Sequence, residues 1–243
     1  MSQWVMATKV AGRELLVFLK HARPGAAKTR LVPALGAAHA AELYRTLAEA
    51  VLEATVPRPG EYERQVFYDP PEAAEAMRSW LPGMRLIRQG AGDLGARMEA
   101  AFSRSFRRGA RRVALIGTDT PGLTREIVIA ALDALDDVDV VLGPAEDGGY
   151  YLLALRRPHP ELFAGVVWST AAVLEGTRVR AAAAGLSVRE LERRRDVDTL
   201  EDLRAEWPRL RGLLAGRPSL LEHLQRALGA RWSRSSAPTQ SPR

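Results

Sequence analysis

Residues 112–123 read RVALIGTDTPGL: an apolar run, a glycine, an aspartate, and then a Pro-Gly pair ahead of the next helical pattern. Val113 to Ile116, closed off by Gly117, have the length and composition of a buried strand. Pro121 and Gly122 suit the turn that follows, and 124–135 carries helical spacing. Asp119 therefore stands at the carboxyl end of a strand, just before a helix. Two chemistries suit it there. It can accept backbone N–H bonds as a cap or turn residue, or it can bind a hard cation such as Mg²⁺ or Mn²⁺, which takes a few carboxylates, water and phosphate oxygens.

Outward from this stretch the same strand, turn and helix grammar repeats. The patterns predict strands over 14–20, 64–69, 84–89, 112–117 and 138–143, and helices over 38–56, 71–80, 94–106 and 124–135. The run 150–155, YYLLAL, follows its predecessor too closely for a helix between them, so it pairs antiparallel or starts a subsheet. Residues 171–185 then predict a helix, 186–191 a strand, and 199–210 a final helix opened by Thr199. Such alternation implies an α/β fold, a Rossmann-like, mostly parallel sheet with helices on both faces. Ligands then belong at the carboxyl ends of its strands.

The chain has 243 residues, 47% hydrophobic and 26% charged, enough to bury the core of one large domain. No apolar run approaches the roughly 18–20 residues of a membrane helix, and no secretory leader is recognisable, so a cytoplasmic protein without a membrane partner is expected. The absence of cysteine excludes disulfides and thiolate metal sites. The net charge of +6 is unevenly spread: 217–243 carry five arginines and one glutamate, hence +4, leaving +2 for the rest. A single domain over 1–216 and a basic C-terminal extension over 217–243 are expected, the Ser-, Pro- and Arg-rich end being disordered. The body is nearly balanced and no aromatic-interleaved basic module stands out, so nucleic acid is not the expected partner.

Only three of the 35 basic side chains are lysines, and Lys28 lies in the loop 21–30, HARPGAAKTR, after the first strand. This is no P-loop, because Ala22 and Ala27 stand where glycines belong. Lys28 and Arg30 are donors without acceptor capacity, suited either to nucleotide phosphates or to a solvated basic loop, with Pro24 and Gly25 shaping the backbone. At 89–98, QGAGDLGARM, another glycine-rich turn offers Asp93 as an N-cap and Arg97 to the surface or to a phosphate. At 143–155, GPAEDGGYYLLAL, Asp147-Gly148 is a hairpin signal, while Glu146 and Asp147 place two acids at the ligand edge, where one can orient or deprotonate an acceptor hydroxyl. Near 195–203, Asp196 and Asp198 are two apart in an extended segment and project the same way. Gathering them near Asp119 costs free energy unless a cation neutralises them.

Six blocks in this order, VFLKHARPGAAKTRL, QGAGDLGARMEAAF, ALIGTDTPGL, GPAEDGGYYLLAL, VVWSTAAVLEGT and RRDVDTLEDL, resemble the bacterial glycosyltransferase A-type family of arsenosugar biosynthesis. They are more distantly similar to 2-phospho-L-lactate guanylyltransferase and the molybdenum-cofactor nucleotidyltransferases. The resemblance covers about 14–203 and implies a nucleotide-diphospho-sugar transferase (glycosyltransferase A) fold that binds a nucleotide and a divalent metal, Mg²⁺ or Mn²⁺. It places Lys28, Thr29 and Arg30 in the phosphate-facing loop, and Asp119 and Asp198 on the metal. Gly148, Gly149, Tyr150, Trp168, Ser169 and Thr170 then line the acceptor pocket. The expected function is metal-dependent glycosyl transfer from a nucleotide-sugar to a small-molecule acceptor. The alternative is nucleotidyl transfer with release of pyrophosphate, and a third reading is a non-catalytic nucleotide-binding module.

Overall fold

The computed structural model describes residues 12–235. Seven strands form one sheet: β1 (Arg13–Lys20), β2 (Glu63–Asp69), β3 (Leu86–Arg88), β4 (Arg112–Ile116), β5 (Val140–Pro144), β6 (Tyr150–Leu155) and β7 (Val188–Glu190), in the order β3-β2-β1-β4-β6-β5-β7. β1 pairs parallel with both β2 and β4, β2 with β3, and β5 with β7. β6 lies antiparallel between β4 and β5, because residues 145–149 leave room for a tight turn and none for a crossover helix.

The helices are α1 (Val32–Leu35), α2 (Ala37–Ala54), α3 (Ala74–Trp80), α4 (Leu94–Arg107), α5 (Arg125–Ala134), α6 (Val173–Ala183), α7 (Leu200–Ala205), α8 (Trp207–Leu213) and α9 (Pro218–Ser235). β1 shows why they cover both faces. Its side chains alternate, so Leu15, Val17 and Leu19 pack with Val51 and Leu52 of α2 and Leu132 of α5, while Leu16 and Phe18 pack with Met98 and Phe102 of α4. No described helix is long and apolar enough to cross a membrane.

Two details depart from the sequence pattern. The helix expected over 199–210 is broken at Glu206 into α7 and α8, since Pro208 lacks the N–H a continuous helix needs and is tolerated only in a first turn. The C-terminal segment also contributes to the core. Leu220 and Leu224, four apart on α9, are fully buried with Leu31 and Leu35 beside the first loop and with Leu43 and Leu47 of α2. The expectation of a disordered end covers 232–243: residues 232–235 instead continue α9, and 236–243 lie outside the described residues.

Candidate active site

β1 and β4 are neighbours, yet the chain leaves β1 towards β2 on one side while β4 opens the other half of the sheet. Their carboxyl-end loops consequently part and leave a crevice, the place where open α/β sheets bind ligands. The loop after β1 carries Lys28, and the loop after β4 carries Asp119. A third segment, 194–198, is drawn in when Arg194 bridges to Ala145 and the Val197 N–H donates to the Asp119 carbonyl at 3.0 Å. That last bond sets Asp198 beside Asp119.

At the floor of the crevice the Lys28 ammonium lies 2.7 Å from Asp119 Oδ1 and 2.7 Å from Asp198 Oδ1. The lysine side chain is only 2% exposed, whereas the two carboxylates are 40% and 44% exposed. Burial opposes the charge of Lys28, but the two carboxylates outweigh it and raise its pKa. In return Lys28 and Arg30 hold the Asp198 carboxyl below its usual range, against the effect of burial. Towards Asp198 the ammonium makes a hydrogen bond; towards Asp119 it is an ion pair off the hydrogen-bond line, so buried Oδ1 has no hydrogen-bond donor. Lys28 itself adopts a left-handed backbone at φ 50°, unusual for a side chain of this size. Such strain concentrates at functional sites.

Tyr44, Thr118 and Thr120, which sequence reasoning passed over, complete the floor with Asp196, which it singled out beside Asp198. The Tyr44 hydroxyl on α2 accepts from the Lys20 N–H at 2.7 Å and pairs with the Thr118 hydroxyl at 3.2 Å, joining the ends of β1 and β4 beneath Lys28. The Thr120 hydroxyl donates to Asp196. Burial, reinforced by the charges of Asp119 and Asp147, pushes the Asp196 carboxyl up to about 7 although the Thr120 bond opposes the shift. Tyr44 looks like one more member of an apolar helix face and carried no signal of its own in the sequence, whereas Asp196 was marked by its spacing from Asp198.

The crevice has three connected parts, all of which Asp119 lines. One, of about 260 Å³, is mostly apolar and bounded by Phe18, Tyr44, Leu94, Met98 and Tyr151. The second, about 400 Å³, is the cationic pocket of Lys20, Lys28, Thr29 and Arg30. The third, about 500 Å³, lies between Asp147, Gly149, Tyr150, Trp168, Ser169, Thr170, Asp196 and Asp198. Gly148 is set just behind this wall at φ +90°, where an added Cβ would lie 2.2 Å from the Ala171 carbonyl oxygen. Pro24 faces a separate groove with Ala22 and Arg217, and Gly25, at φ +78°, only turns the loop. Glu146 is not gathered into the crevice: it is ion-paired with Arg195, which also holds Asp202. Asp93 caps α4 by accepting from the Ala96 N–H at 2.9 Å, and Arg97 is taken by Asp69 at 3.1 Å.

The donor set bears on a divalent cation. No group of three His, Asp or Glu side chains that could hold a metal occurs among the described residues. Asp119 and Asp198 do converge, and both carboxylates stay partly exposed to the crevice at 40% and 44%. Two carboxylates suit Mg²⁺ or Mn²⁺ when phosphate oxygens and water complete the shell. The neutralising charge that the paired aspartates demand is provided in this structure by Lys28.

A family model described as "Uncharacterized protein conserved in bacteria (DUF2064)" matches residues 51–170. The chain is 33% identical over 143 residues to phosphoenolpyruvate guanylyltransferase of Chloroflexus aggregans, spanning 55% of this chain and 68% of that protein. A crystal structure from Desulfovibrio desulfuricans G20, described as a nucleotide-diphospho-sugar transferase, superposes with a TM-score of 0.79 at 32% identity, over 88% of this chain and 98% of that one. A cytidylyltransferase of Leptospira borgpetersenii shares the fold at 13% identity and a TM-score of 0.52, over 96% and 99% of the two chains.

Proposed function

The chain belongs to the bacterial DUF2064 family and has the nucleotide-diphospho-sugar transferase fold, and on that premise we propose that it is a nucleotidyltransferase. The observation that carries this reading is the buried Lys28 ammonium held by Asp119 and Asp198 at the sheet's switch point. A cation locked there is preorganised for charge that develops on a phosphate, and its immobility means no reorganisation is needed as the reaction proceeds. The guanylyltransferase relative favours nucleotidyl over glycosyl transfer.

In this reading the triphosphate lies along the cationic pocket of Lys20, Lys28, Thr29 and Arg30, with the nucleoside towards the apolar part. An acceptor oxygen in the third part attacks the α-phosphorus. The new O–P bond forms as the bond from that phosphorus to the bridging oxygen of the β-phosphate breaks, and pyrophosphate leaves. The acceptor proton passes to a carboxylate on that side, for which Asp147 is placed. Asp119 and Asp198 would hold Mg²⁺ or Mn²⁺ together with substrate oxygens, and the ion would neutralise leaving-group charge. Lys28 and Arg30 stabilise the same charge from the protein side.

The second reading, glycosyl transfer, is favoured by the description of the Desulfovibrio desulfuricans structure. The two reactions leave different products. Incubation with nucleoside triphosphates and nucleotide-sugars should release pyrophosphate if the proposal holds. Release of a nucleoside diphosphate from a nucleotide-sugar would replace it with the second reading, and nucleotide binding without either product would leave a non-catalytic binding module.

A further inference from the structure

The two ends of the crevice carry opposite charge. The phosphate end sets Lys20, Lys28 and Arg30 against Asp119 and Asp198, whereas the third part adds Asp147 and Asp196 to those two aspartates and keeps only Arg30 of the cations. Arg30 is the one cationic side chain lining that part among the described residues, and it leans towards Asp198 at 4.0 Å. Three successive arginines run close by, yet none of them lines that part. Arg193 donates to the Ala145 carbonyl at 3.0 Å, Arg194 to the Gly122 carbonyl at 3.3 Å, and Arg195 pairs with Glu146 and Asp202.

Beside the Ser169 and Thr170 hydroxyls, two carboxylates there keep an oxygen without a protein donor among the described residues. Asp196 uses one oxygen on the Thr120 hydroxyl, and among the described residues no donor reaches the other. Asp147 Oδ1 takes the Gly149 N–H at 2.9 Å, and its second oxygen has no protein donor among the described residues. The opposite wall is the Trp168 indole, which fits over Gly95 at the start of α4 so closely that an added Cβ would come within 2.2 Å of Nε1. Trp168 also stacks on Phe163, with ring centroids 6.4 Å apart. The cavity therefore has a fixed aromatic wall facing a rim of carboxylate oxygens.

We infer that the acceptor is an uncharged or cationic compound rich in hydroxyl or amino groups, and that phosphorylated and carboxylated acceptors are excluded. This rests on the transferase reading of the site, though not on which bond is broken. A carboxylate or phosphate seated here would face Asp147, which no cationic side chain pairs among the described residues, and in a partly enclosed site such a contact costs about tenfold in affinity. The inference also separates this chain from its curated relative, whose name specifies an anionic acceptor.

The test compares D-glucosamine and ribitol with phosphoenolpyruvate and glycerol 3-phosphate as acceptors for the full-length protein, with kcat/KM read as release of pyrophosphate or nucleoside diphosphate. The neutral and cationic acceptors should exceed the anionic ones by about tenfold or more. Asp147→Lys should shift that ratio towards the anionic pair by a similar factor, and Asp147→Asn, which keeps the size of the side chain, should shift it less in the same direction. Equal or faster turnover of phosphoenolpyruvate overturns the inference, as does a ratio that both variants leave unchanged or release that no acceptor accelerates. Which product appears tests the proposed reaction separately, so the two can fail independently.

Discussion

Asp139 and Asp119 stand at opposite ends of the same sheet and show what distinguishes a structural carboxylate from a working one. Asp139 precedes β5 at the amino edge, is 7% exposed, and is saturated with donors. The Ser187 N–H and hydroxyl reach its Oδ2 at 3.0 and 2.8 Å, and Arg156 donates to its Oδ1 at 3.0 Å. Those bonds, Ser187 foremost, bring its pKa down to about 2. Asp119 follows β4 at the carboxyl edge, is more open, and has one cation and no hydrogen bond for its buried oxygen. Its neighbour Asp196 is driven the other way, up to about 7, mainly by burial. One edge spends its aspartate on holding strands and loops together; the other keeps its carboxylates short of donors, where a substrate or an ion can complete them.

The contrast breaks most sharply if Lys28 is removed. Lys28→Met should lower turnover by about a thousandfold, at the upper end of what loss of one preorganised charge costs. It also leaves Asp119 and Asp198 facing each other without a cation, so the variant's melting temperature should fall and become strongly dependent on added Mg²⁺ or Mn²⁺. A thermal-shift titration with each ion reads this directly, and retained activity would remove Lys28 from the chemistry. Asp119→Asn should cost about a hundredfold in turnover, equivalent to about 2.7 kcal/mol, with little change in melting temperature in the absence of ligand. Steady-state kinetics beside a melting curve separates the two effects.

Asp139→Asn should show the reverse pattern, with turnover intact and stability reduced by about 1–2 kcal/mol at neutral pH once solvent screening is allowed for. The pH dependence has a definite sign. The folded pKa of about 2 lies below the ordinary 3.8, so this stabilisation is complete above about pH 4 and disappears as pH falls from 4 towards 2. Denaturant unfolding of the variant and the parent should therefore converge over that window. The smallest effect belongs to Arg156→Gln, since the Arg156 side chain is 40% exposed and its pair with Asp139 is worth at most about 1 kcal/mol. A larger loss there would mean that the arginine, rather than Ser187, holds Asp139 in its ionised state.

Much of this architecture was legible from pattern. The apolar runs marked the strands, and the short gap before Tyr150 foretold the antiparallel β6. Lys28, Asp119 and Asp198 were legible by type, Asp119 where a strand has just ended and the other two in the segments that follow strands. Glu146 and Asp147 looked equivalent in the chain and are not. The bond from the Glu146 N–H to the Arg194 carbonyl at 2.9 Å anchors the turn so that Glu146 meets Arg195 while Asp147 lines the crevice. Tyr44 was hidden because its partner Thr118 lies 74 positions away, and the bond of Asp196 to Thr120 was hidden by a separation of 76.

By itself the sequence determined the alternation of strands and helices, and with it the sheet edge at which ligands bind, because hydrophobic period and turn chemistry are local properties of the chain. Only the tertiary structure decided that a lysine ammonium occupies the space between two aspartates 79 positions apart, and which acids were left without donors. Those outcomes depend on strand order, and strand order follows from how the whole core packs rather than from any one segment.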